Sequence, residues 1–257
     1  MSLIKLPKSD KNSDLKKWIV NTDDSLNVIY LKSNGKYFEI SEGIKSHLER
    51  FKLILINRNV RVGTITEKNY ADFLKGKFEI SYIMNANSMK NGNFYCLSYP
   101  RRGTDTFEVD KIVNSRRAAS NNFALDTDGY YEQSDIVVTT IKPEYIGTIN
   151  IKIILAILNS KLLFHWFYNK GKRKGETLEL FQKPISEVPI KYVESKSLID
   201  SVDKIIEAKK VDPSANTSKW EKQIDIMVYH LYNLTYEEAL IIHPELSEED
   251  YVRNQLK

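Results

Sequence analysis

The stretch NSRRAASNNFALDTDGYY, residues 114–131, sets Arg116 and Arg117 close to Asn121 and Asn122. Arginine can fork onto the O6 and N7 edge of guanine and asparagine onto N6 and N7 of adenine, so these side chains suit a polyanion whose base edges are to be read. Arg101 and Arg102 add a donor pair just upstream. A second stretch, NKGKRKGE, concentrates Lys170, Lys172, Arg173 and Lys174, with Lys161 and Lys183 on either side. Lysine neutralises phosphate as a point charge and arginine clamps it with two parallel bonds, while Gly171 and Gly175 would let such a loop sit close to a backbone or groove. Both stretches also have plainer readings. The second could be a solvated turn between buried elements, and the first an edge strand protected by charge. On a strand, alternation would send Asn114 and Arg116 to one face and Ser115 and Arg117 to the other, so at most one arginine of the pair would point straight at a ligand. Asp126, Asp128, Gly129, Tyr130 and Tyr131 read as turn formation and packing.

The motifs of catalysis are missing. A phosphate-binding loop needs four residues between its glycines and Lys-Ser/Thr after the second; Gly171 and Gly175 are followed by Glu176 and stand too close. A magnesium-dependent nuclease would need an acidic residue and Glu-x-Lys on a strand, whereas Asp200, Glu207 and Lys209 fall on a helix whose polar face accounts for them. Neither the glycine-rich turn nor the Asn/Asp-Pro-Pro-aromatic element of an aminomethyltransferase occurs. Cys96 is the single cysteine, which excludes an internal disulfide and a CxxC site and fits a reducing compartment. His47, His165, His230 and His243 lack the short spacings of metal ligands. We therefore expect no catalytic, cofactor-binding or metal-ligating residue on this chain.

The elements that must hold the two basic stretches follow from periodicity. With 257 residues, 42% of them hydrophobic, the chain can bury a substantial core, and its net charge of only +4 means that local distribution of charge matters more than the total. SLNVIYLKSNGKYFEI predicts a hairpin around Ser33-Asn34-Gly35. From Ser41 the period changes, and Ile44, Leu48, Phe51 and Leu55 predict a helix ending at Asn57 to Asn59. KFEISYIMNANSM, NGNFYCLSYP, DKIVNSRRA and SDIVVTTI read as strands. Residues 149–168 are apolar on nearly every side, as in one buried helix, and TLELFQKPISEVPI returns to extended chain with Ile185, Val188 and Pro189 packing inward. Beyond Val193, two apolar stripes, Leu198, Ile199, Val202, Ile205, Ile206 and Trp220, Ile224, Met227, Val228, Leu231, predict a pair of antiparallel amphipathic helices. Thr235 with Glu238 has capping-box spacing, and Ser247 with Asp250 resembles it. The expected fold is α+β: a twisted, mainly antiparallel sheet domain with a buried helix over residues 1–190 (hairpin and helix in 1–60, core in 61–190), then a helical segment over 191–257. No apolar run approaches the ~20 residues of a membrane span. The N-terminus lacks the apolar core of a signal peptide, so we expect a cytoplasmic location.

Taken together, DKIVNSRRAASNNFALDTDGYYEQSDIVVTTI, IILAILNSKLLFHWFY, NKGKRKGETLELFQKPISEVPI and the closing EKQIDIMVYHLYNLTYEE resemble, in order and spacing, the TaqI-like C-terminal specificity domain of type IIG restriction-modification enzymes. The resemblance runs from about residue 94 to 240 and extends more weakly to GIKSHLERFKLILINR. It implies a target-recognition domain that selects a duplex DNA sequence for an adenine-N6 methyltransferase or endonuclease, supplied in cis or in trans and flipping the adenine into its own pocket. S-adenosylmethionine and magnesium are then expected on that catalytic part, and this chain would be the recognition portion alone. By matching position the resemblance implies DNA contacts by Arg116, Arg117, Asn121 and Asn122 in the first stretch and by Lys172, Arg173 and Lys174 in the second. Arg101, Arg102 and Lys170 join them on charge. Alternatives are a protein-docking module working through its tail helices, a fragment of a type I-like specificity subunit, and a methyltransferase with unrecognised motifs.

Overall fold

A computed structural model describes residues 4–7, 15–20, 25–28, 42–57, 66–75, 104–131 and 135–254. The chain forms two compact units, Ile29–Thr104 and Met1–Val28 with Asp105–Lys257.

In the first unit, the helix expected from Ser41 is two helices, α1 (Glu42–Glu49) and α2 (Lys52–Asn57). Backbone bonds from Phe51 N to Leu48 O and from Leu55 N to Phe51 O carry the chain across the break. Ile44, Leu48 and Leu55 are half-buried, Phe51 is exposed, and the neighbouring Ile56 is the residue that is fully buried. A short helix, α3 (Tyr70–Leu74), follows, introduced by Asn69 Oδ1 accepting from Thr66 N. The turn at Asn34-Gly35 and the strands expected between 77 and 100 lie outside the described residues.

Among its described residues the second unit carries ten strands: β1 (Ile4–Pro7), β2 (Leu15–Lys16), β3 (Trp18–Val20), β4 (Ser25–Val28), β5 (Lys111–Ser115), β6 (Arg117–Ala118), β7 (Ala124–Asp126), β8 (Ile136–Thr140), β9 (Lys172–Lys174) and β10 (Thr177–Glu179). They make a pair β1–β4, a five-stranded sheet in the order β2–β3–β7–β5–β8 and a three-stranded sheet in the order β6–β10–β9. Every described pairing is antiparallel except β3 with β7. Strand β5 is buried along its whole length because both sheet faces are covered. Ile112 packs into the main core, while its neighbour Val113 joins Leu15, Ala124 and Ile136 in a smaller cluster.

The apolar run 149–168, expected as one helix, is two: α4 (Ile151–Asn159) and α5 (Lys161–Asn169), bent by 61° at Ser160. Ser160 ends the first and caps the second, donating from Oγ to Ile157 O at 2.7 Å and accepting from Leu163 N at 3.2 Å. A serine hydroxyl that satisfies the terminal groups of both helices makes a sharp break cheap at this position. Among the described residues no single helix is long and apolar enough to cross a membrane.

Past β10 the extended chain expected around Pro184 is instead a short helix, α6 (Gln182–Ser186). Proline fits there because it lies in the first turn, where its missing N–H is not needed. Val188 is buried and Ile185 half-buried, whereas Pro189 is exposed and its carbonyl accepts from Tyr232 Oη at 2.6 Å. The helical tail follows its periodicity: α7 (Lys196–Val211), α8 (Ser218–Leu231), α9 (Tyr236–Ile242) and α10 (Glu248–Arg253). Thr235 and Glu238 form the full reciprocal capping box, and Ser247 accepts from Asp250 N. Leu198, Val202, Ile205, Ile224, Met227, Val228 and Leu231 enter the same core as Trp18, Ile112 and α4. Each such aliphatic side chain, fully buried, contributes about 1.5–3 kcal/mol, which holds the sheet and helical tail in one unit.

Candidate nucleic-acid interface

The basic stretch 170–176, expected as a loop, has the strand β9 at its centre. Lys170 caps the C-terminal end of α5, where a cation complements the helix dipole. Gly171 sits against the last turn of that helix, and a Cβ there would stand 2.4 Å from Phe167 O. Strand β9 then runs to Gly175, whose φ of 61° opens the two-residue turn into β10.

Strand β10 is the centre of the three-stranded sheet, and its two neighbours are the two basic stretches. Glu179 stands opposite Arg117 on one side and opposite Lys172 on the other; Leu178 is likewise flanked by Ala118 and Arg173, and Thr177 pairs with Lys174. The pleat therefore divides them. Leu178 is buried and Ala118 packs against the core. Arg173 turns to the ring of Tyr168, its Cζ 3.8 Å from the centroid, while Tyr168 Oη donates to Glu176 at 3.0 Å. Arg117, Lys172, Lys174 and Glu179 share the opposite face. Lys172 Nζ lies 2.9 Å from Glu179 Oε2, and Arg117 donates to Oε1 at 3.3 Å. These bonds, with the Lys172 ammonium foremost, hold the Glu179 carboxyl below the usual carboxylate range.

Arg116 is the residue at which the chain passes from one sheet to the other. Its N–H donates to Asp135 O beside the five-stranded sheet, and its carbonyl accepts from Leu180 N beside the three-stranded one. Because the strand breaks here, strict alternation does not apply. Both guanidinium groups approach one phenyl ring, with Arg116 Cζ 5.8 Å and Arg117 Cζ 5.7 Å from the centroid of Phe181. Arg116, Arg117, Asp135 and Phe181 line an open cleft of about 300 Å³.

Asn121 is not a surface residue. It is 4% exposed, and its amide donates to Leu158 O and Ser160 O at 2.8 and 2.9 Å. The bend between α4 and α5 leaves Leu158 O without a backbone partner, whereas Ser160 O also accepts from Phe164 N at 3.0 Å, so the Leu158 carbonyl is the group that needs a buried donor there. This corrects the base-reading role expected for Asn121. Asn122 is half-buried, its Nδ2 donating to Ser115 Oγ at 3.5 Å and its carbonyl oxygen turned inside. Arg101 and Arg102 lie outside the described residues. Asp126 is a turn organiser: it accepts from the N–H groups of Asp128, Gly129 and Tyr130 and pairs with the buried Lys111 at 2.5 Å.

The structure thus gathers Arg116, Arg117, Lys172, Arg173 and Lys174 onto one small sheet, with Lys170 at its entry. Tyr168, Phe181 and Glu179, which position them, carry little signal in sequence. Only the alternation of Leu178, Glu179 and Leu180 marks the glutamate as part of a strand.

Residues 53–190, just over half the chain, match the family described as TaqI-like C-terminal specificity domain. The chain belongs to this family. Its domains serve DNA recognition in restriction-modification systems and are not catalytic. The match includes every described cation of the specificity domain's basic sheet and stops just past α6, so α7 and α8 complete its core from outside the matched residues. No curated protein matches the chain.

Proposed function

We propose that this chain is the sequence-reading module of a type IIG restriction-modification enzyme, holding an adenine-N6 methyltransferase, with or without an endonuclease, on its target duplex. The observation that carries the reading is the joining of two basic stretches, far apart in the chain, through the shared strand β10. In this reading Lys170, Lys172, Arg173 and Lys174 bind phosphates and set the register, while Arg116 and Arg117, gathered at the Phe181 ring, present donors for base edges. The catalytic module in cis or in trans flips the adenine; S-adenosylmethionine and magnesium belong to that module. Among the described residues no cluster of His, Cys, Asp and Glu is arranged to hold a metal.

Docking of a protein through the tail helices is less well supported, because the apolar stripes of α7 and α8 face the chain's own core. Selection of bound duplexes from a random pool at two salt concentrations, with and without the catalytic module, tests the proposal. Enrichment of one short motif, with affinity falling steeply as salt rises, is the expected result. No enrichment with the module present, together with salt-insensitive binding, would overturn it.

A further inference from the structure

Glu179 is an acid placed between cations on a face read as binding phosphate. Its side chain is 7% exposed, while those of Arg117 and Lys172, which it holds from either side, are 57% and 72% exposed. The carboxylate therefore lies beneath the surface with two cationic heads above it, in the relation a bound phosphate would have from the opposite direction. We propose that Glu179 is a specificity-determining counter-charge. It pre-engages Arg117 and Lys172, so that a passing phosphate gains little from either cation and only a duplex docked in register displaces them.

The inference rests on the DNA-binding reading and adds a limit on non-specific affinity. Non-specific binding is almost wholly phosphate electrostatics, scaling with the number of phosphates neutralised. A phosphate in contact with Lys172 or Arg117 would stand within the ~10 Å Debye length of the carboxylate at 0.1 M salt, so their repulsion is not screened away. Lys174, paired across the sheet with Thr177, has no such acid opposite it. A purely structural role for Glu179, stitching β6 and β9 to β10, is the competing account. Removing the negative charge in that case would loosen the sheet without raising affinity for a polyanion.

The test uses the whole chain and a random-sequence duplex. Glu179→Gln keeps the shape and an acceptor for Arg117 but removes the charge. It is expected to bind several-fold tighter at low salt, with a salt slope steeper by about one, and Glu179→Asp to stay nearer the parent than Glu179→Gln does. Lys172→Gln should weaken binding more in the Glu179→Gln background than in the parent. Equal or weaker binding by a folded Glu179→Gln, or an equal loss from Lys172→Gln in both backgrounds, would overturn the proposal while leaving the DNA reading intact. Should Glu179→Gln not fold, Lys172→Gln and Lys174→Gln decide the matter alone, since equal losses from the two would overturn it. Absence of salt-sensitive duplex binding by the parent chain would sink the DNA reading and this inference with it.

Discussion

Asn159 satisfies both backbone groups of Phe123: its Oδ1 accepts from Phe123 N at 3.0 Å and its Nδ2 donates to Phe123 O at 2.8 Å. The last residue of α4 thereby acts as a strand partner for the segment entering β7, while Asn121 on that segment reaches back to the carbonyls at the helix break. This two-way clasp ties the chain leaving Arg117 to the helix pair from which β9 departs.

Asn159→Ala should destabilise the protein by about 1–3 kcal/mol, since it leaves the N–H of a fully buried Phe123 without a partner. Denaturant unfolding at neutral pH measures it. A change within a few tenths of a kcal/mol would show that water or a neighbouring group replaces the asparagine.

Lys111 and Asp126 are both fully buried and paired at 2.5 Å, with Lys111 also donating to Phe107 O at 3.0 Å. Lys111→Met should cost about 3–5 kcal/mol, because the carboxylate is left buried without its cation. The loss should be smaller when Asp126→Asn is added. Chemical denaturation of both variants checks this, and an equal loss in the two would locate the cost in packing rather than charge.

Burial raises the Asp225 carboxyl to about 6, against hydrogen bonding from Lys161 N, which lowers it. A carboxyl whose folded pKa lies above its unfolded value binds more protons when folded, so its contribution to stability falls as pH rises between about 4 and 6. Asp225→Asn keeps an acceptor for Lys161 N and removes the buried charge. It should raise stability at pH 7 by up to about 3 kcal/mol relative to the parent, with the gain shrinking toward pH 4. Paired unfolding curves at the two pH values test this; a gain that did not change with pH would place its origin elsewhere.

On DNA, Arg173→Ala should weaken binding to all duplexes alike and reduce the salt slope by about one, as for a phosphate contact. Substitution of Arg116 or Arg117 should instead change sequence preference in at least one case, with ~1–3 kcal/mol at stake for a bidentate base contact. Competition between selected and random duplexes separates the two behaviours. A uniform loss for both arginines would make them backbone contacts.

Local pattern in the sequence was enough to determine the amphipathic tail helices, their caps, the strands around Ile112 and Val137, and the two cationic stretches, because each depends on side chains a few residues apart. It also determined that no familiar catalytic motif is present, since such motifs are themselves local. Pairing across the chain was decided only by the tertiary structure. That β9 and β6 flank one strand, that Glu179 lies between Arg117 and Lys172, and that both arginines reach Phe181 depend on the register of strands distant in sequence. The fate of Asn121 was decided in the same way. An asparagine in a polar loop suits a base edge as well as a backbone carbonyl, and it turned inward because the bend at Ser160 left the Leu158 carbonyl to be satisfied once buried.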